Sequence, residues 1–333
     1  MRAVAFYEHG GPGVLRLVND WPEPEAGPGE AVVSIEACAL NHLDLFVRRG
    51  MPGVPITLPR VSGGDIAGTV IARGDGDTTT ELGQRVLIDP LITLPDGRHG
   101  ALGENANGGL TERIAVPVQN LIPLPATVST VQAAALPIAY GTAHRMLITR
   151  GQVQPGENVV VLGASGGVGT ACVQLGALLG ANVIAVASTQ AKLDRLAGLG
   201  ARHLILARGP EYGAKVWQLT GKQGADVIVD YSGQETWPAT LRTVRAGGRI
   251  LVCGATSGYQ ATTDLRYVWV RESTILGSDG WRRSDLEALV RMVAAGRLSP
   301  VVDRVVGLGQ VSQAQRDLEA RAVFGKIVVD PRE

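Results

Sequence analysis

The stretch Val159-Val160-Val161-Leu162-Gly163-Ala164-Ser165-Gly166-Gly167-Val168-Gly169 decides how this chain is read. Four apolar residues, three of them β-branched, make a short strand with no polar face, which suits a parallel sheet covered on both sides. The glycines break that strand, and Thr170 to Leu179 then supply a helix that stops at Gly180. A strand, a glycine-rich turn and a helix in this order form a cradle for a diphosphate. One residue makes the tight turn, a second lets the backbone approach the phosphates, and a third lets the helix pack against the strand, while the helix N–H groups face the anion. The spacing puts Ala164 in the first place and Gly166 and Gly169 in the others, with Ser165, Gly167 and Val168 between them. A dinucleotide is the ligand this arrangement predicts.

Working outward, the same alternation continues. Asn182-Val183-Ile184-Ala185-Val186, Asp226-Val227-Ile228-Val229-Asp230 and Arg249-Ile250-Leu251-Val252-Cys253 read as apolar strands separated by helical stretches such as Lys192 to Leu199. Gln132 to Leu147 reads as a helix. The first third is different. Val14–Val18, Ala31–Ala37, Ile66–Ile71 and Arg85–Ile88 are strand-like and set apart by Gly/Pro loops, which suggests an antiparallel barrel or sandwich. Near the C-terminus, Ser284-Asp285-Leu286-Glu287 reads as a capping box opening a helix that runs to Gly296, and Val301–Val306 and Lys326–Val329 read as strands returning to the first domain.

The residues after the second parallel strand select the dinucleotide. An NAD site usually carries an acid there for the ribose 2′-hydroxyl. Ala187-Ser188-Thr189-Gln190-Ala191-Lys192 has none. A hydroxyl and an ammonium suit a 2′-phosphate, so Ser188 and Lys192 are candidates, with Arg208 as a helper. The expectation is NADP(H) as preferred cofactor with NAD(H) second. The alternative is that Lys192 is a solvated residue of a helical first turn.

Composition excludes other classes. Lys plus Arg and Asp plus Glu are 31 each, so the net charge is zero, and a grip on nucleic acid is not expected. No apolar run approaches the length of a membrane span, and the N-terminus lacks the pattern of a secretory signal, so a cytoplasmic location is expected. Cys38, Cys172 and Cys253 share no metal or disulfide spacing and read as buried thiols.

With these residues in hand, the chain resembles the medium-chain dehydrogenase/reductase superfamily over nearly its whole length. Besides the glycine-rich turn, the likeness rests on Ala39-Leu40-Asn41-His42-Leu43-Asp44-Leu45-Phe46-Val47-Arg48-Arg49-Gly50, on Gly63-Gly64-Asp65-Ile66-Ala67-Gly68, on Ala135-Leu136-Pro137 with Thr142-Ala143, and on Phe324-Gly325-Lys326-Ile327-Val328-Val329. The resemblance implies an α/β chain with a GroES-like β-barrel catalytic domain at residues 1–125 and 279–333, and a Rossmann domain at 126–278. Zinc-binding members carry Cys, His and a further Cys or acid at positions matched here by Asn41, Gly64 and Ile138. A second zinc loop would fall in Pro90 to Gly109, which has no cysteine and is shortened. None of these offers a good zinc donor, so no zinc is expected.

The resemblance also implies roles. Thr142 would contact the nicotinamide ring or ribose, and the backbone around Cys253-Gly254-Ala255 and Gly277-Ser278 would hold the carboxamide. Asn41 either polarises the acceptor oxygen, holds the nicotinamide ribose or steadies its own loop. Tyr140 is either a proton donor or a core tyrosine. A homodimer through the outer Rossmann strand is expected. The activity expected is hydride transfer from NADPH to an electron-poor small molecule such as a quinone, enone or enal. Two alternatives stand beside it: an NADP-dependent alcohol dehydrogenase with a side-chain proton relay, and a non-catalytic NADPH-binding protein.

Overall fold

The structure is a computed structural model that describes residues 1–76, 80–94 and 97–333. Pro95 and Asp96, within the shortened loop noted above, lie outside the described residues. The chain divides into two compact units, residues 1–138 with 286–333, and residues 139–285.

The first unit is built mostly on antiparallel pairing, with Val302–Gly307 and Lys326–Asp330 parallel to each other. A seven-stranded sheet runs in the order Leu121–Pro123, Arg85–Ile88, Asp65–Arg73, Glu30–Ala39, Lys326–Asp330, Val302–Gly307, with Arg113–Pro117 also paired to Glu30–Ala39. A three-stranded sheet sets Ala3–Phe6 between Arg16–Val18 and Arg60–Val61. The C-terminal strand lies against an N-terminal one, with Val328 opposite Ala39 and Val329 opposite Cys38. That pairing carries Lys326 into a neighbourhood its place in the sequence does not suggest. The core of this unit gathers Val33, Ile35, Leu45, Ile66, Ile88, Ile327 and Val329, all buried.

The second unit holds a six-stranded, fully parallel sheet in the order His203–Leu206, Asn182–Ala187, Asn158–Val161, Ala225–Val229, Val244–Val252, Thr274–Gly277. Numbered by position, this is 3-2-1-4-5-6, the doubly wound order with its reversal between the strands Asn158–Val161 and Ala225–Val229. Val159, Val160 and Val161 are fully buried, each contributing about 1.5–3 kcal/mol of apolar burial to the sheet. The outer strand Thr274–Gly277 leaves one edge unpaired among the described residues.

Several boundaries differ from expectation. The first crossing between units falls after Ile138 rather than after Pro125, because the helix Thr130–Ala134 packs on the barrel strands and Thr130 donates to Glu36 (3.2 Å). The helix expected from Gln132 to Leu147 is interrupted. Leu136–Gly141 and Arg145–Arg150 are π-helical, flanking the α-helical turn Thr142–His144. Pro137 has no N–H and its ring crowds the preceding turn, so the widened helix accommodates it. Near the C-terminus the helix spans Arg283–Ala294. Its cap is made by Asp285, whose carboxylate accepts the N–H of Arg282 (2.8 Å), two residues earlier than a box starting at Ser284. No helix among the described residues is long and apolar enough to cross a membrane.

Candidate active site

The turn after Asn158–Val161 is made by Gly163, whose φ of +61° suits glycine, and not by Ala164 as the spacing suggested. The Tyr231 hydroxyl donates to the Gly163 carbonyl (2.9 Å). Ala164 is fully buried and donates its N–H to Val186 O (3.0 Å), which ties the turn to the next strand. Gly166 then caps the helix Gly167–Leu178 without a side-chain hydrogen bond. Among the described residues, the N–H groups of Gly167, Val168 and Gly169 therefore have neither an intrahelical acceptor nor a side-chain cap, and the helix dipole adds to their positive field. Ser165, Gly166, Gly167 and Val168 are partly open to solvent. Exposed N–H groups at a helix N-terminus can hold an anion.

At the end of the second strand, Ser188 precedes Thr189, which caps the helix Gln190–Ala197 by accepting the N–H of Lys192 (3.4 Å). Arg208, after the neighbouring strand His203–Leu206, donates through Nε to the Ser188 carbonyl (3.4 Å). The structure thus brings Ser188, Lys192 and Arg208 to adjacent strand ends. The nearby Glu211 carboxylate is spent on the backbone N–H groups of Arg208 (2.8 Å) and Gly209 (3.3 Å), which hold its pKa below the usual range.

Across the reversal point, Cys253, Gly254 and Ala255 follow the fifth strand, and burial, with Asp230 nearby, pushes the Cys253 thiol up to about 12. Gly277 accepts from Arg150 Nε (2.9 Å). Ser278 donates its N–H to Val252 O (2.9 Å), and its own buried hydroxyl has no partner among the described residues. Thr142 is buried at the start of its helical turn. Tyr140 is fully buried, and its phenol donates to Gln174 Oε1 (2.8 Å) on the helix Gly167–Leu178. Two further buried groups pair here: His144 Nδ1 lies 3.0 Å from Asp285 Oδ1, with burial lowering the imidazole pKa against the pull of the carboxylate.

In the first unit, Asn41 caps the helix His42–Arg49 within a buried polar cluster. Its Nδ2 donates to Asp65 Oδ2 (2.9 Å) and Ala39 O (3.3 Å), and its Oδ1 accepts from Lys326 Nζ. Lys326 Nζ also pairs with Asp65 Oδ2 (2.9 Å), both side chains being almost wholly buried. The other Asp65 oxygen accepts the N–H of Ile138 (2.8 Å), one of the backbone donors that the widened helix frees. Asp44 accepts from the N–H of Asn41 (2.7 Å) and of Gly63 (2.8 Å). Burial outweighs those bonds and the Lys326 charge, raising its pKa to about 6. Sequence reasoning named Asn41 but assigned no role to Asp65 or Lys326. The only signal for them was their presence in the runs that carried the family resemblance.

The three positions that hold zinc in zinc-binding relatives do not suit it here. Asn41 is an amide engaged on both sides, Ile138 is apolar, and Gly64 has no donor and no room for one. A Cβ there would sit 3.0 Å from Leu102 O and 3.2 Å from Ile138 Cδ1. The Asp65 carboxylate is already matched by an ammonium. Among the described residues no group of three or more His, Cys, Asp or Glu side chains is arranged to hold a metal.

Comparison with known proteins agrees with this construction. The alcohol dehydrogenase GroES-like domain family matches residues 27–126, and the zinc-binding dehydrogenase family matches residues 167–295. A crotonyl-CoA reductase of Streptomyces avermitilis is 30% identical, over 95% of this chain and 82% of its own length. The quinone oxidoreductase of Homo sapiens is 28% identical, over 99% of this chain and 97% of its own. A crystal structure described as an NAD-dependent alcohol dehydrogenase superposes with a TM-score of 0.93 at 38% identity, covering 99% of both chains. Barrel unit, doubly wound unit, anion cradle and these likenesses along nearly the whole sequence agree: the chain belongs to the medium-chain dehydrogenase/reductase superfamily and is an oxidoreductase.

Proposed function

We propose that this enzyme reduces electron-poor conjugated acceptors, such as quinones, enones and enals, with NADPH and without zinc. The observation that carries the reading is the Lys326–Asp65–Asn41 cluster. Where zinc-binding relatives place a Lewis acid, this chain has a buried ammonium–carboxylate pair with an amide locked between them. An alcohol is a poor hydride donor until its oxygen is deprotonated, a task a metal eases. A conjugated acceptor needs less help, because the charge it gains spreads onto an oxygen that hydrogen-bond donors can stabilise.

Bound NADPH would supply the hydride from its nicotinamide ring. The residues of this chain would do the rest. The N–H groups of Gly167 to Gly169 would take the diphosphate, and Ser188, Lys192 and Arg208 the 2′-phosphate. Thr142 would border the nicotinamide. The backbone at Cys253–Ala255 and Gly277, with the unpartnered Ser278 hydroxyl, would hold the carboxamide. Asn41, whose amide is already engaged, would act as a positioning residue shaping the acceptor site. The relatives named quinone oxidoreductase and crotonyl-CoA reductase support an acceptor of this kind. The structural relative described as an NAD-dependent alcohol dehydrogenase favours a second reading, alcohol oxidation.

Two further proposals accompany the activity. The unpaired edge Thr274–Gly277, with Ile275, Trp269 and Val270 exposed beside it, would pair with a second copy to form a homodimer. Three unpaired thiols fit a reducing, cytosolic compartment. The test of activity is NADPH oxidation by metal-assayed protein against quinones, enals, enones and acyl-CoA thioesters, set beside NADP+ reduction by simple alcohols. Turnover of the conjugated acceptors without stoichiometric zinc supports the proposal, and turnover confined to alcohols overturns it.

A further inference from the structure

Asp230, which follows the strand Ala225–Val229, is 1% exposed. Its carboxylate accepts from the N–H groups of Ser232 (3.0 Å) and Gly233 (3.2 Å) and from the hydroxyls of Thr236 (2.9 Å) and Thr240 (2.6 Å). These bonds tie the segment 231–236 down to the end of its own strand. A second set ties it to the segment that follows Val244–Val252. The Tyr231 carbonyl accepts the N–H of Thr256 (3.0 Å), and the Ser232 carbonyl accepts both the N–H (2.7 Å) and the hydroxyl (2.6 Å) of Ser257. The two segments also touch backbone to backbone: a Cβ on Gly233 would lie 2.8 Å from Gly258 O and 3.1 Å from Ala255 Cα. From this paired platform the Tyr231 side chain crosses the strand reversal to the phosphate turn. Its hydroxyl donates to Gly163 O (2.9 Å), and its ring lies over Gly163, where a Cβ would meet Cε2 at 3.4 Å and Cζ at 3.6 Å. The turn closes on that same Gly163 oxygen. It also accepts the Gly166 N–H (3.1 Å), and Gly169 packs against it.

We infer that Tyr231 is a positioning residue for the dinucleotide, joining the turn that takes the diphosphate to the segment that holds the nicotinamide carboxamide. Those two segments lie on opposite sides of the strand reversal, Gly163–Gly169 after the first strand of the doubly wound order and Cys253–Ala255 after the fifth. A ligand held at both ends binds more tightly when the two sites are already at their working separation, because ordering them on binding costs affinity. The Tyr231 phenol supplies that link, from a platform bonded to Thr256 and Ser257 on one side to the Gly163 carbonyl on the other. A phenylalanine there keeps the ring and removes only the bond. Losing one neutral hydrogen bond of this kind changes an equilibrium by about three- to tenfold. The inference rests on the NADPH reading and gives a role to a residue that reading leaves without one. It also separates two ligands. NADPH reaches both segments and depends on the link. The fragment 2′,5′-ADP stops at a single 5′-phosphate, carries no nicotinamide, and does not.

The experiment is calorimetric titration of the intact protein with NADPH and, separately, with 2′,5′-ADP, for wild type, Tyr231→Phe, Ser257→Ala and the double variant. Tyr231→Phe should raise the Kd for NADPH about three- to tenfold and leave that for 2′,5′-ADP within about twofold. Ser257→Ala loosens the far side of the same link and should show the same pattern. The double variant should lose little more than the larger single loss, because either change breaks one chain of contacts. An unchanged NADPH Kd in Tyr231→Phe, equal weakening of both ligands, or fully additive losses in the double variant overturns the inference. If Tyr231→Phe does not fold, an unchanged NADPH Kd in Ser257→Ala overturns it. A wild type that binds neither NADPH nor NADH fails the cofactor reading and this inference with it, whereas a wild type that binds NADPH beside a Tyr231→Phe that binds it equally well fails this inference alone.

Discussion

Replacing Gly169 by alanine separates the two tasks of the phosphate turn. An ideal Cβ on Gly169 would lie 2.5 Å from Gly163 O and 2.6 Å from both the carbonyl carbon and the Cα of Ala164. All three atoms are backbone, and the Ala164 N–H is held by Val186, so the turn cannot step aside without losing that bond. Relief requires the helix Gly167–Leu178 to withdraw until these contacts approach the usual 3.5 Å or so, a displacement on the order of 1 Å. Forcing extra volume into such packing costs about 1–3 kcal/mol. At roughly 2–4 °C per kcal/mol this is a fall in Tm of about 2–12 °C. The same movement carries the helix N–H groups away from the diphosphate, and each loss of about 1.4 kcal/mol there weakens NADPH tenfold. Gly166→Ala is the control. Its Cβ would meet nothing nearer than Gly163 O at 3.7 Å, and its φ of −79° is ordinary for alanine. Stability should stay within about 0.5 kcal/mol of wild type, while the added methyl blocks the approach of the phosphates and weakens NADPH. Thermal melts and fluorescence titration with NADPH measure both. Gly169→Ala with wild-type Tm and affinity, or Gly166→Ala binding NADPH as tightly as wild type, refutes this account of the turn.

Other predictions follow from the buried cluster and the sheet edge. Lys326→Met leaves the Asp65 carboxylate buried without its ammonium and should cost about 3–5 kcal/mol in chemical denaturation, part of which Asp65→Asn added to it restores; an additive double mutant would show the pair to be uncoupled. Because the Asp44 pKa is raised to about 6 in the folded protein, the folded state holds that proton more tightly than the unfolded chain. Its stabilising contribution is full below about pH 4 and lost as pH rises through about 6, so the stability difference between wild type and Asp44→Asn should fall across that window and flatten above it. A pH-independent difference contradicts the assignment. Ile275→Asp on the exposed edge strand should convert a dimer to a monomer in sedimentation velocity; a monomeric wild type would end the dimer proposal.

The parts of this fold that were legible in the sequence were the local ones. Val159–Leu162 announced a buried parallel strand because every side chain is apolar, and the following glycines announced the turn because few other residues fit it. The same spacing misplaced the turn by one residue. A glycine pattern does not reveal which member takes a positive φ, and here it is Gly163, with Ala164 turned into the core. Ser188 and Lys192 were legible as neighbours, and Arg208 joins them only because parallel pairing aligns Ala187 with Leu206. The buried polar cluster around Asp65 was not legible. Asn41, Asp65 and Lys326 are far apart along the chain and meet through a strand pairing between its two ends. Nothing in spacing or periodicity says that a lysine near the C-terminus will match an aspartate near residue 65. Tyr140 was undecided between proton donor and core because its partner, Gln174, lies on another helix.

The central claim is that a reduced dinucleotide bearing a 2′-phosphate binds the Gly166–Gly169 cradle and the Ser188–Lys192–Arg208 cluster without help from zinc. Its most direct test is a pair of equilibrium titrations, NADPH and NADH, on chelator-treated and metal-assayed protein, repeated for Lys192→Asp. The account predicts NADPH bound at least about tenfold more tightly than NADH, with the preference reduced or reversed in the variant. Tighter binding of NADH by the wild type, an unchanged preference in Lys192→Asp, or binding that disappears when stoichiometric zinc is removed contradicts it.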